Sequence, residues 1–196
     1  CPKCHHEKLI HDPFMFLSLP IPSTTTSVLS RYTGFSRSSY SKVTLSECYD
    51  CFTKSEMLDG SNLWKCDKCK QQVKATVKIG VTKASDILII HLKRFDGQSY
   101  YMKKIETPVE YPDVLEPSFF KDSNSEMATN GNNSIGKYRL IGVVFHHGYL
   151  SGGHYTSAAM DPETEKWYEF NDSCVSPING SEAHSGKAYI LFYQKF

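Results

Sequence analysis

The second half of the chain contains closely spaced segments in which β-branched and aromatic residues dominate. Short turns with Gly, Pro, Asp or Asn separate these segments, which is typical of strands joined by hairpins. The pattern therefore predicts an antiparallel sheet. The four strand candidates are YRLIGVVFHH, HYTSAAM, WYEF and AYILFYQKF.

Further apolar patterns lie upstream. The continuous run ILIIHLKRF predicts a strand that is buried on both faces. Residues 73–79 alternate strictly between apolar and polar side chains, which predicts a half-buried strand. Near the N-terminus, HDPFMFLSLPIP is consistent with one more strand. The Ser/Thr-rich residues 23–41 and the polar residues 122–136 lack an apolar period and predict long loops.

One segment has a helical period. In TLSECYDCFTKSEML, Thr44 precedes Glu47 by three positions, which is the signature of a capping box at a helix N-terminus. The apolar positions that follow recur at helical spacing and predict a short amphipathic helix that runs toward Gly60. These positions are Leu45, Cys48, Tyr49 and Phe52.

Composition narrows the class of protein. The 196 residues suit one compact domain that buries a real core, and 12 Tyr and 11 Phe favour a β-rich, α+β fold. The net charge of +1, with neither sign in blocks, argues against a nucleic-acid partner. No apolar stretch approaches the length of a membrane span, and no signal-peptide pattern is present. Because the chain begins inside a cysteine motif, we expect it to be part of a longer protein.

Six of the seven cysteines form three C-x-x-C pairs. Without secretory signals this spacing favours metal binding in a reducing compartment, so we expect the cytoplasm or the nucleus. Two pairs, CPKC and CDKC, have the lysine-containing interior of zinc knuckles and predict one closed, structural Zn²⁺ site. The alternative is free thiols or a thioredoxin-like redox pair, which would leave the second pair unexplained. The predicted ligands are Cys1, Cys4, Cys66 and Cys69.

Other residues near these pairs have weaker metal signals. His5 and His6 follow the first pair and could substitute as ligands, although four cysteines already complete a tetrahedral shell. The middle pair, CYDC, lies inside the predicted helix. There Cys48 occupies the apolar stripe, which predicts a small buried hydrophobic residue rather than a ligand.

One histidine has the surroundings of a general base. In GGHYTSAA, His154 follows Gly152 and Gly153 at the start of a strand, where a side chain reaches a cleft and a substrate backbone can come close. In WYEFNDS, Asn171 and Asp172 end the next strand, and a hairpin across DPETEK would make Asn171 a neighbour of His154. A thiol protease uses such a His/Asn pair. Taken alone, these residues also fit ordinary turn chemistry.

The two zinc pairs, followed along the chain by ILIIHLKRF, GGHYTSAA, WYEFNDS and AYILFY, closely resemble the ubiquitin-specific protease family of cysteine deubiquitinases. The resemblance covers nearly the whole chain, and the segment around the histidine is its most specific part. It implies a papain-like catalytic domain of fingers, palm and thumb. Residues 1–79 would form mainly the fingers, with zinc at the fingertips, and residues 80–196 mainly the palm with an antiparallel sheet.

The resemblance also implies roles for individual residues. His154 matches the general base, Asn171 the residue that orients it, and Asp172 an adjacent acid that can assist. Residues 148–153 look like the loop that closes over the C-terminal tail of ubiquitin, whose Gly-Gly end suits a narrow channel. The residues expected to bind that tail are Gly148, Gly152, Gly153 and Tyr155.

The nucleophile is where the sequence departs from the family. The family's cysteine box lies N-terminal to the first zinc pair and is absent from these residues, as is the thumb. Cys174 follows Asn171 too closely to serve, and Cys48 and Cys51 lie in the wrong motif. We therefore expect the C-terminal part of a deubiquitinase that acts on ubiquitin and ubiquitinated proteins and that needs the upstream Cys-box segment. An inactive ubiquitin-binding or scaffold module is the alternative.

Overall fold

The fold was analysed in a computed structural model of the chain. It describes residues 1–22, 42–95, 104–120, 135–149 and 152–196. The predicted loop at 23–41, most of the predicted loop at 122–136, and residues 150 and 151 of the glycine-rich loop lie outside the described residues. Within the described ranges, no helix combines the length and the apolar character needed to span a bilayer.

Short strands dominate the described structure. The single α-helix in these ranges, α1, spans Leu45–Thr53, and short 3-10 helices span Gly60–Asn62, Pro117–Phe120 and Gly180–Ala183. The strands are β1 Leu17–Pro20, β2 Val43–Thr44, β3 Glu56–Leu58, β4 Trp64–Lys65, β5 Gln72–Val73, β6 Ala75–Val77, β7 Ile87–Lys93, β8 Val109–Glu110, β9 Val114–Leu115, β10 Tyr138–Tyr149, β11 Gly152–Met160, β12 Trp167–Asn171, β13 Cys174–Ile178 and β14 Ala188–Lys195.

An eight-stranded sheet forms the centre, in the order β1-β7-β14-β10-β11-β12-β13, and β9 also pairs with β10. All its pairings are antiparallel except that of β1 with β7, which is parallel. The four strands predicted in the second half are confirmed as β10, β11, β12 and β14. The α+β, β-rich fold class is also confirmed, whereas β13 was not predicted.

The prediction that β7 is buried on both faces is wrong. Its burial alternates along the strand: Leu88, Ile90 and Leu92 are buried, whereas Ile87 is 40% exposed. The buried face continues across the sheet through Leu191 of β14, and α1 covers it where the helix packs against β1. The apolar run ILIIHLKRF therefore predicted the strand β7 correctly, but only one face of β7 packs against the core of this mixed sheet.

The helix forms where the capping box predicts. The Thr44 side chain accepts a hydrogen bond from the Glu47 backbone N–H, and the Glu47 carboxylate accepts one from the Thr44 backbone N–H. Leu45, Cys48 and Tyr49 are buried, as the helical period predicts. The helix does not continue toward Gly60, because Lys54 already has extended backbone angles and β3 follows.

The half-buried strand predicted for residues 73–79 is also wrong in detail. The segment contributes to β5 and β6, which pair with different partners, β4 and β3, in two separate ribbons. Val73 is buried, but Val77 is 39% and Ile79 51% exposed. A two-stranded ribbon offers little surface for burying side chains, so alternation alone did not place them in a core. The predicted division into 1–79 and 80–196 stays a prediction.

Candidate active site and metal centre

The hairpin of β11 and β12 brings His154 and Asn171 together. In the pairing of β11 with β12, Ser157 lies opposite Phe170, and the same register places Thr156 opposite Asn171. Side chains two residues apart on a strand share a face, so Asn171 is the diagonal neighbour of His154. The hairpin across DPETEK was predicted from the turn residues, and the structure contains it.

The contact between these side chains is a short hydrogen bond. His154 Nε2 and Asn171 Oδ1 are 2.6 Å apart. An amide oxygen only accepts, so Nε2 carries the hydrogen and donates it, and Nδ1 keeps its lone pair. The imidazole ring is exposed. This arrangement leaves a fixed, solvent-accessible ring whose free nitrogen can accept a proton from a neighbouring group.

Asp172 occupies the turn between β12 and β13. Its φ of +51° is in the left-handed region, which Asp tolerates better than most residues. Among the described residues, its carboxylate has no hydrogen-bond or ion-pair partner. The structure thus brings Asn171 into contact with His154 and places Asp172 beside that contact without joining it.

The described part of the predicted glycine loop, residues 148, 149, 152 and 153, forms the paired ends of β10 and β11 and is called the glycine turn. One of its glycines has a positive φ and another is tightly packed. Gly148 has φ of +96°, and a Cβ atom there would lie 2.8 Å from the Gly152 carbonyl oxygen. A Cβ on Gly153 would lie 2.2 Å from Nε2 of His146. A Cβ on Gly152 would meet no described atom within 4 Å. The fold therefore requires glycine at 148 and 153, whereas the space beside Gly152 is open to a ligand.

Tyr155 lies on the face opposite to His154, because side chains alternate along a strand. Its ring is 53% exposed and its centroid lies 4.8 Å from that of the buried His146, which also contacts Phe95 and Tyr189. The structure thus places Tyr155 at the predicted loop, but on the other side of the strand from the candidate base.

A second histidine, which was not predicted from the sequence, lies at this site. His147 of β10 is the cross-strand partner of His154, and its Nε2 lies 3.3 Å from the Thr156 hydroxyl. Burial lowers the pKa of His147, and the positive charges of Lys187 and Lys104 lower this pKa further. The lowered pKa favours the neutral form of His147 beside His154. The sequence feature that could have identified His147 is its position in VVFHHG, at the end of a strand that leads into the glycine turn.

The two predicted zinc knuckles meet at one point. All four sulfur atoms lie within 4.8 Å of one another. The Cys1 and Cys69 sulfurs are 3.8 Å apart, and those of Cys4 and Cys66 are 3.6 Å apart. Tetrahedral Zn²⁺ with bonds of about 2.3 Å requires sulfur separations of about 3.8 Å. The cluster therefore fits a single tetrahedral ion, and neither His5 nor His6 belongs to it.

Each knuckle has the same local geometry. The backbone N–H of His5 donates to the Cys1 carbonyl, and that of Lys70 donates to the Cys66 carbonyl, at 2.9 and 2.8 Å. Both donors have positive φ, which closes the turn around the cysteine pair. A hydrogen bond from the Cys69 backbone N–H lowers the pKa of Cys66 to about 7, against the opposing effect of desolvation. Such N–H···S bonds stabilise the thiolate form that binds metal.

The remaining cysteines have other surroundings. Cys48 is fully buried, as predicted, and desolvation, followed by the nearby Cys51, raises its pKa to about 12. Its thiol therefore stays protonated and unreactive. Cys51 is exposed on the same helix, and Cys174 is exposed on β13 as the cross-strand partner of Asn171.

The chain is similar to known proteins over nearly its whole length. The chain is 34% identical over 194 residues to ubiquitin carboxyl-terminal hydrolase 2 of Gallus gallus, covering 99% of this chain and 48% of that protein. It is 37% identical over 154 residues to ubiquitin carboxyl-terminal hydrolase 15 of Homo sapiens, covering 78% of this chain and 15% of that protein. The chain therefore spans about half or less of the length of these relatives.

Solved structures give the same result. The SAGA Ubp8/Sgf11/Sus1/Sgf73 DUB module bound to ubiquitin aldehyde matches with a TM-score of 0.75 at 30% identity, over 100% of this chain and 39% of that one. The predicted ubiquitin-specific protease architecture is thereby confirmed. The family model for ubiquitin carboxyl-terminal hydrolase matches residues 1–193. The chain belongs to the ubiquitin carboxyl-terminal hydrolase family.

Proposed function

We propose that the chain is the base-carrying part of a thiol-dependent deubiquitinase that hydrolyses the isopeptide or peptide bond after the C-terminal glycine of ubiquitin. The observation that carries the proposal is the 2.6 Å hydrogen bond between His154 and Asn171 beside a glycine turn. Membership of the ubiquitin carboxyl-terminal hydrolase family supports it. A pure binding module has no need of an imidazole held in one tautomer with its free nitrogen exposed.

In this proposal His154 moves two protons. Its Nδ1 first takes the proton of the nucleophilic thiol, and the thiolate attacks the carbonyl carbon of the terminal glycine. The resulting imidazolium, held by Asn171, returns the proton to the leaving amine as the C–N bond breaks and an acyl-enzyme forms. His154 then takes a proton from a water molecule as its oxygen attacks the thioester carbonyl. The C–S bond breaks, the imidazolium returns that proton to the leaving thiolate, and ubiquitin leaves with a free carboxylate.

The nucleophile belongs, in this proposal, to a Cys-box segment of the longer protein. The cysteines of this chain are poorly suited to the role, because four form the metal cluster and Cys48 is buried with a raised pKa. Cys174 is the cross-strand neighbour of Asn171, and that asparagine bonds Nε2 rather than the free Nδ1. A thiol brought to the Nδ1 side of His154 by another segment would complete the site.

This division of labour predicts that the chain alone does not cleave a ubiquitin C-terminal reporter and does not react with a ubiquitin-based thiol probe. The longer protein, or the chain supplied with its upstream segment, should do both. Reporter fluorescence and mass spectrometry of the probe adduct measure the outcome. Probe labelling of the isolated chain at Cys174 would show that the nucleophile lies in this chain and that its assignment to another segment is wrong. A longer protein that binds ubiquitin without cleaving it would support the binding module instead.

The cysteine cluster is proposed to hold one structural Zn²⁺ ion. Four thiolates fill the coordination shell, which leaves no position for a substrate or a reactive water. The knuckles are also joined outside the cluster by an ion pair of Lys8 with Asp67 and by stacking of His6 on Trp64. Such a site stabilises the ribbons around it. Cysteines that bind a metal ion instead of forming disulfide bonds favour a cytoplasmic or nuclear location for the protein.

The open space at Gly152 gives a steric test of the proposed tail channel. A Cβ atom at position 152 would meet no described atom within 4 Å, so we expect Gly152→Val to change the thermal unfolding midpoint little. In the longer protein the added side chain should obstruct the extended Gly-Gly tail and lower kcat/KM by roughly 100-fold.

Graded substitutions control for this effect. Gly152→Ala should lower kcat/KM less than Gly152→Val, because the obstruction scales with side-chain size. Gly153→Ala should instead lower the unfolding midpoint, because its Cβ would collide with His146 and the His147 carbonyl. Full activity of the Gly152→Val protein would show that this turn does not line the proposed tail channel.

A further inference from the structure

Lys104 is a buried lysine that the proposed mechanism does not use. Its side chain is only 5% exposed, although lysine is almost never buried unless it is paired. The cationic group lies beside the candidate active site rather than in the sheet core. Its position therefore needs a reason other than packing.

The ammonium group is held mainly by the backbone of β10. Nζ donates a hydrogen bond of 2.8 Å to the His146 carbonyl and one of 3.1 Å to the Gly148 carbonyl. A third contact is the ion pair with Glu106, at 3.5 Å, whose own side chain is 54% exposed. Charge-assisted bonds to two carbonyls of the same strand hold that strand more firmly than a single neutral bond would.

These carbonyls lie beyond the point where β10 has a neighbouring strand on that side. The pairing of β10 with β14 ends at Phe145 and Ala188. The pairing of β10 with β11 on its other side continues to Tyr149 and Gly152. Lys104 thus bonds to the strand where β14 has ended, and it supplies two hydrogen bonds that a sheet partner would otherwise give.

The end of β10 that Lys104 holds lies next to the candidate base. Gly148 begins the glycine turn with a positive φ that favours glycine, and His147, between the two bonded carbonyls, lies opposite His154. We infer that Lys104 is a positioning residue, which fixes the end of β10 and thereby the glycine turn and the His154 ring relative to Asn171. This inference rests on the proposed function, because positioning has a catalytic consequence only if His154 is the base.

A matched pair of substitutions separates positioning from general stability. Lys104→Met keeps most of the side-chain volume but removes the donor, whereas Lys104→Arg keeps a charged donor. Tyr138→Phe is the control. Tyr138 is a buried residue at the other end of β10, and the substitution removes the hydrogen bond that its hydroxyl donates to the Ser85 carbonyl. Both Lys104→Met and Tyr138→Phe should lower the unfolding midpoint, but only the former should affect the glycine turn.

The first measurement uses the chain itself. In NMR spectra of histidine-labelled protein, Lys104→Met should shift or broaden the ring signals of His147 and His154. Amide hydrogen exchange in the first residues of β11 should become at least several-fold faster. Tyr138→Phe should leave both unchanged, and Lys104→Arg should restore part of the wild-type signals. Unchanged ring signals and exchange in the Lys104→Met chain would overturn the inference, whatever the enzyme assay gives.

The second measurement uses the longer protein with a ubiquitin C-terminal reporter. Lys104→Met should lower kcat about 10- to 100-fold, because a displaced base weakens transition-state contacts, and should change KM by less than about threefold. Tyr138→Phe should leave kcat unchanged. If the wild-type protein cleaves but Lys104→Met matches Tyr138→Phe, the positioning role is wrong. If the wild-type protein does not cleave, the proposed function fails, and the NMR result alone decides whether Lys104 positions the turn.

Discussion

Replacement of His154 by alanine is expected to lower kcat/KM of the longer protein by about 10³-fold or more, because the thiol then loses its proton acceptor and the leaving amine its proton donor. The ring is exposed and its hydrogen bond is to the side chain of Asn171, so the unfolding midpoint should change little. A reporter assay and a thermal melt on the same preparation measure both quantities.

The orienting partner should matter less than the base. Asn171→Ala leaves the imidazole in place but frees it to rotate and to change tautomer, which should lower kcat on the order of 10²-fold. Because Asn171 bonds Nε2, its loss should be felt in kcat more than in KM. Asp172→Ala should have a smaller effect than either, since the hydrogen bond to His154 comes from Asn171.

His184 provides the control for the His154 substitution. His184 Nε2 lies 2.7 Å from a carboxylate oxygen of Asp113, a distance close to that at His154, and its Nδ1 lies 3.1 Å from the Tyr111 carbonyl. His184 is on a segment that precedes β14. His184→Ala removes these side-chain contacts away from the candidate site and should leave turnover unchanged. Equal losses for His154→Ala and His184→Ala would mean that the effect comes from lost structure. Unchanged turnover of the His154→Ala protein would exclude this residue as the base.

The candidate site was largely predictable because it depends on local features. The turn residues of DPETEK set the hairpin, and the period of two along each strand then determines which side chains become neighbours. His154 and Asn171 could thus be paired from the sequence alone. The four-cysteine cluster was predictable for the same reason, since each C-x-x-C turn fixes two sulfur atoms within a few residues.

The residues that sequence analysis missed act through contacts distant along the chain. Lys104 reaches carbonyls 42 and 44 positions away, and nothing in its local sequence marks it as buried. His147 became part of the site only through the register between β10 and β11. The strand β13 carries Pro177 and exposed residues, a weak strand pattern, and its pairing with β12 at the edge of the sheet is what defines it.

Burial was the property that local patterns predicted least well. The alternation in residues 73–79 has the period of a half-buried strand, yet the ribbons it forms leave Val77 and Ile79 exposed. The apolar run in β7 was continuous, yet Ile87 faces away from the core. Periodicity gives the direction of a side chain, whereas burial depends on whether another element lies there.

Because the ribbons bury few side chains, we expect their stability to depend on the proposed Zn²⁺ ion. Purified chain is expected to contain about one equivalent of Zn²⁺ and to lose it on Cys66→Ser or Cys69→Ser, because three thiolates bind the ion far more weakly than four. Without the ion, β3 to β6 retain few buried side chains, so limited proteolysis within residues 56–79 should become much faster. The central sheet should persist, because its core lies elsewhere.

Cys48→Ser is the matched control for this loss, since it also replaces a buried cysteine but one outside the cluster. It should retain the full equivalent of Zn²⁺ while lowering the unfolding midpoint, because a hydroxyl then replaces a sulfur in an apolar site. Acid should release the ion from the wild-type chain as the thiolates are protonated, and the proteolysis pattern should then match that of Cys66→Ser. If Cys48→Ser lost the metal as completely as Cys66→Ser, or if the wild-type chain bound no zinc, the assignment of Cys1, Cys4, Cys66 and Cys69 as ligands would be wrong.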